Sequence, residues 1–95
     1  MAHCPYPELA DLEDVLETVR SWADIREKSP GVFYVKAKPF LHFHLNKAGE
    51  RWADVRGSGD WEKVDVAKPA SARARAALTR EAARHHGVLT AKKSR

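Results

Sequence analysis

Two imidazoles stand one residue apart in Lys38-Pro39-Phe40-Leu41-His42-Phe43-His44-Leu45. The segment alternates in character. As a strand it turns Leu41, Phe43 and Leu45 to one side, and Phe40, His42 and His44 to the other. A His-x-His pair on a strand points both rings the same way and can hold a divalent metal, with Asp54 as a third ligand. An aspartate beside a histidine also fixes its tautomer and favours its protonated form, as general acid–base sites require. Tyr34 offers a further proton donor. No nucleophile accompanies them, because Ser58 falls in a turn and Cys4 at the terminus.

Turn lengths set the expected register. Lys36 opposite Phe40 puts Tyr34 across from His42. Leu45 opposite Arg51 puts His42 across from Asp54, and His44 across from Trp52. Arg56 opposite Trp61 puts Asp54 across from Lys63. The expected row is Tyr34, His42, Asp54, Lys63, with neighbouring Cβ atoms ~4.5–5.5 Å apart. Phe40, Tyr34, Trp52 and Trp61 share that face with Lys36, Arg56 and Lys63. Rings mixed with cations suit single-stranded nucleic acid, whose bases stack while phosphates meet the charges.

The candidate ligand-binding set is therefore Tyr34, His42, His44, Trp52, Asp54, Trp61 and Lys63, and the candidate metal set is His42, His44 and Asp54. The leading reading is a non-catalytic binding module for a protein partner, a small ligand or nucleic acid. The alternative is a small metal- or acid–base-dependent enzyme. The plain reading is a hydrogen-bonded, half-exposed sheet face, or rings covered by the N-terminal arm, the 24–30 loop or a second copy. Gly57-Ser58-Gly59-Asp60 reads as a hairpin turn. No phosphate loop, ribonucleoprotein motif or zinc finger is present.

The elements that must position these residues follow from pattern. Leu9, Leu12, Leu16, Val19 and Ala23 recur at steps of three and four behind Pro7, predicting a helix over 7–23. Ser29-Pro30-Gly31 breaks the chain. Four short runs follow, 32–36, 40–45, 51–56 and 61–66, joined by short turns as in an antiparallel meander. Asp24–Glu27 is a ragged candidate for a fifth. A second helix over 72–86 starts at the N-cap Ser71 and stops at Gly87, with His85 and His86 at its end. A metal role for those two needs a partner from elsewhere. The expectation is an α+β two-layer sandwich, α-β-β-β-β-α, with both helices on one sheet face. That face is made by Phe33, Val35, Leu41, Phe43, Leu45, Ala53, Val55, Val64 and Val66.

Ninety-five residues suit one domain, expected over 1–90, with a disordered basic tail at 91–95. No apolar run approaches the ~20 residues of a membrane span. The N-terminus lacks a signal-peptide layout, so the expected location is cytoplasmic. Cys4, the single cysteine, reads as a disordered, incidental thiol at a frayed terminus, where with His3 it could catch a metal. The net charge of +4 is uneven. Residues 8–17 are acidic, and the chain from Lys68 onward is basic. The two ends can neutralise each other, or Arg73, Arg75, Arg80, Arg84 and the tail can meet nucleic acid.

The runs Ser29-Pro30-Gly31-Val32-Phe33-Tyr34, Lys38-Pro39-Phe40-Leu41-His42-Phe43-His44 and Ala53-Asp54-Val55-Arg56 resemble a group of small bacterial proteins often labelled "luciferase family". The likeness spans roughly residues 10–66. It implies no light-emitting chemistry, since no flavin site is evident. The order helix, meander, helix is also similar to that of MmcQ/YjbR-like proteins, whose fold has been compared with DNA-binding domains.

Overall fold

The structure is a computed structural model describing residues 4–57 and 59–90. A 3-10 helix, Tyr6–Leu12, runs into α1 (Glu13–Arg20). Five strands follow: β1 (Ile25–Ser29), β2 (Val32–Val35), β3 (Lys38–Leu45), β4 (Arg51–Val55) and β5 (Glu62–Asp65). The last element is α2 (Ala72–Thr90). The strands form one antiparallel sheet in sequential order. The α+β class matches expectation, but the sheet has five strands rather than four. The ragged segment is a true edge strand, and its charged Arg26, Glu27 and Lys28 are what an edge carries to resist further pairing.

The expected helix over 7–23 is two pieces. The stripe survives the change because Leu9 and Leu12 are three apart, one turn of a 3-10 helix. Leu9, Leu12, Val15, Leu16 and Val19 are all buried. They meet Phe33, Val35, Leu41, Phe43, Ala53 and Val55 from the sheet, Val66 just beyond β5, and Leu78 and Ala82 from α2. Leu45 and Val64 pack at the margin of this core. Ser71 caps α2 as expected, its Oγ accepting from Ala74 N at 3.0 Å. Gly87 does not end α2, which continues to Thr90. An internal glycine costs ~1 kcal/mol, and Leu89 packs against the core beyond it.

Two further expectations are corrected. Phe40 is fully buried rather than on the open face. The β2–β3 register shifts between Phe33 and Tyr34, a bulge that sends both Phe40 and Leu41 into the core. Cys4 is also fully buried, and its backbone N–H donates to Phe43 O at 3.2 Å. Burial pushes its thiol pKa up, so Cys4 is packing material. His3 and the 91–95 tail lie outside the described residues.

The acidic head meets part of the basic half. Asp14 pairs with Arg75 at 3.0 Å, and Glu8 pairs with Lys68. The strongest link is Arg51, whose side chain is fully buried. Nη1 and Nη2 hold the two oxygens of Asp11 at 2.8 Å each. The remaining donors reach Glu8 O, Val66 O and Ala67 O. Five N–H groups thus find five acceptors. Asp11 also accepts from Ala70 N at 2.7 Å. One guanidinium ties the 3-10 helix, β4 and the approach to α2.

Gly31 closes the β1–β2 turn at φ +79°, and a Cβ there would lie 2.7 Å from Leu9 Cδ1. Left-handed geometry costs a side chain ~1–2 kcal/mol, and Leu9 is buried and has little room to move. Gly31→Ala is expected to lower stability by about 2–3 kcal/mol, read from the urea midpoint. A loss below about 0.5 kcal/mol would show that Leu9 yields without cost.

Candidate functional site

The helices cover the apolar side of the sheet, and alternation leaves the candidate residues on the other. His42 lies opposite Asp54, His44 opposite Trp52, and Asp54 opposite Lys63, as the turn lengths implied. Tyr34 does not lie opposite His42. The bulge pairs it with Pro39 and puts Val32 across from His42. Tyr34 still points to the same face, its ring 6.5 Å from that of His42.

Side-chain contacts cut across the register. His44 reaches diagonally toward Asp54, with Nε2 3.0 Å from Oδ2. His44 also stacks on Trp52 at 5.3 Å and 20°. His42 lies 6.1 Å from His44 and 5.2 Å from Trp61. The rings therefore run as a chain from Trp52 through His44 and His42 to Trp61, with Tyr34 beside His42. Trp61 is 39 % exposed, and the other four are half-buried.

Three cations overlie this chain. Lys63 Nζ is 4.6 Å from the Trp52 ring, Arg56 Cζ is 4.9 Å from Trp61, and Lys28 Nζ is 5.1 Å from Tyr34. Such contacts are worth ~0.5–1 kcal/mol at exposed sites, little enough for a ligand to displace. Lys28 went unnoticed in the sequence, because a register shift between Glu27 and Ser29 decides where it points. Trp52 and Lys63 also line a groove of about 370 Å³, which Lys68 borders.

No family model, curated protein or solved structure matches the chain.

The other expected groups divide. Of the arginines of α2, Arg75 is held by Asp14, and Arg84 by Glu62 and Glu81. Arg73 and Arg80 are exposed. His85 and His86 are not at the helix end. His86 Nε2 lies 2.8 Å from Ala23 O, and its ring packs on Trp22. His85 is buried, with Nε2 2.8 Å from Glu62 Oε1. Among the described residues, the group that brings three potential ligand atoms within 4.8 Å of one another is Glu62, Glu81 and His85. Sequence reading had no way to supply its strand-borne member. No helix among the described residues is long and apolar enough to cross a membrane.

Proposed function

We propose that this protein is a non-catalytic binding module whose open sheet face takes single-stranded nucleic acid. The observation that carries this reading is the run of five rings overlaid by Lys28, Arg56 and Lys63. Bases stack on aromatic and imidazole faces at ~1–3 kcal/mol each. A lysine or arginine that yields its ring to a base remains tethered beside it and can reach the adjoining phosphate. Two carboxylates share this face, Asp54 beside His44 and Asp65 opposite Trp52, and the cations must outweigh their repulsion of phosphate. Duplex nucleic acid fits less well, because its bases are stacked away from such a face.

The test is a titration of the full chain with a short single-stranded oligothymidylate, followed by tryptophan fluorescence. Quenching is expected as bases cover Trp52 and Trp61. With three phosphate contacts on a single strand, a fourfold rise in salt should weaken binding by about 20-fold. No quenching at millimolar oligonucleotide, or an affinity indifferent to salt, would sink the reading.

The second reading, a small acid–base or metal-dependent enzyme centred on His42, His44 and Asp54, draws on the 3.0 Å approach of His44 Nε2 to Asp54 Oδ2. An imidazole beside a carboxylate can relay a proton. Its distinguishing mark is zinc binding or turnover that His44→Ala abolishes while oligonucleotide binding is absent.

A further inference from the structure

Away from the sheet face, a second cluster joins β5 to α2. Glu81 and His85 stand four residues apart on α2, so one helix face presents both. Glu62 meets them from β5, and the three donor atoms lie within 4.8 Å of one another. At their focus stands a cation. Arg84 Nη2 is 3.1 Å from Glu62 Oε1, 2.8 Å from Glu81 Oε2 and 3.2 Å from His85 Nε2.

The present charges are met. Arg84 Nη2 can give one N–H to Glu81 and one to Glu62, and His85 Nε2 can donate to Glu62. A metal ion in the same place would instead take lone pairs from Nε2 and from both carboxylates at one positive centre. Two carboxylates face one guanidinium there, so a divalent ion matches their charge more closely.

We propose that Glu62, Glu81 and His85 form a site for a divalent transition cation of the zinc type, which Arg84 occupies in its place. Tetrahedral zinc with ligands at ~2.0–2.1 Å spaces its donors about 3.4 Å apart. The present separations require movements of only about an ångström to reach that. The Arg84 side chain is 58 % exposed and can swing outward on its flexible stem. Any proton on Nε2 leaves to solvent as the metal binds. The bound ion would fasten edge strand β5 to α2. This site is independent of the nucleic-acid reading, whose residues lie on the opposite face.

The test is zinc chloride titrated into the full chain, with each imidazole nitrogen followed separately by long-range proton–nitrogen NMR correlations. At one equivalent the Nε2 resonance of His85 is expected to shift, while those of His42 and His44 stay in place. Glu81→Gln should weaken zinc by about 10–100-fold, as loss of metal-site contacts does. Arg84→Gln should strengthen it about tenfold, since a competing charge is removed. Both substitutions are at the surface end of the cluster, and unchanged spectra elsewhere will show the fold intact. Zinc that shifts His42 or His44 and leaves His85 unmoved overturns the assignment. So does a zinc affinity that neither substitution changes.

Discussion

Asp11→Ala is expected to cost about 3–5 kcal/mol, the loss typical when one partner of a buried ion pair is removed. Arg51 would be left fully enclosed with its charge uncompensated, and Ala70 N–H would lose its acceptor. A domain of this size has about 5–10 kcal/mol in total, so the variant should be largely unfolded or close to it. Asp11→Asn keeps one acceptor oxygen and should fall between the two. Arg51→Lys should be nearly as damaging as Asp11→Ala, because an ammonium cannot serve five acceptors in a fork. Urea unfolding monitored by tryptophan fluorescence measures all three. A loss below about 1 kcal/mol for Asp11→Ala would mean that water reaches Arg51 and that the clamp is weak.

Acid should probe the same link. The Arg51 guanidinium bonded to Asp11 pulls its carboxyl pKa down to about 2 from the usual 3.8. A depressed carboxylate contributes stability above its unfolded pKa and loses that contribution as pH falls through its folded value. The contribution should therefore be present in full above about pH 4 and decline toward pH 2. Allowing for the solvent at the fringe of Asp11, it amounts to on the order of 1–2 kcal/mol. This is less than the mutational cost, because a protonated carboxyl still fills its space and still accepts hydrogen bonds. In the Asp11→Ala background the acid-dependent loss over this window should shrink by that amount.

Much of the sheet was legible from its period. A strand repeats every two residues, and short loops leave little freedom of register, so His42 opposite Asp54 and Asp54 opposite Lys63 could be read directly. The bulge could not be read that way, because strict alternation assumes one residue per step. Phe40 and Leu41, two large apolar residues in succession, were the available signal. Arg51 shares the phase of Ala53 and Val55, a signal left out of the expected core face, and Asp11 is distant in sequence and gave no sign of meeting it. The partner of each histidine was equally hidden. Rotamers decide that His44 reaches diagonally to Asp54, and the packing of α2 decides that Glu62 meets His85. Alternation and turn length carry neither kind of information.

Trp52→Ala is the substitution expected to affect ligand binding most. Trp52 sits at one end of the ring chain, carries Lys63 over its face, supports His44 by stacking and borders the groove. Its removal takes away a stacking surface worth ~1–3 kcal/mol, or about 5- to 150-fold in oligonucleotide affinity. Trp52→Phe should recover much of this, because a benzene ring still offers a face. Lys63→Gln should behave differently, reducing the salt slope by about 0.7 of a log unit per log unit of salt while the rings still stack. This divergence separates a stacking platform from an ordinary half-exposed sheet face, because fold stability alone would not divide an aromatic loss from a change in salt slope. Titrations by fluorescence anisotropy of a labelled oligonucleotide avoid any dependence on the mutated tryptophan as reporter. Equal affinities and equal salt slopes for wild type, Trp52→Ala and Lys63→Gln would remove nucleic acid from this face. The His44–Asp54 pair would then be the chemistry left to explain.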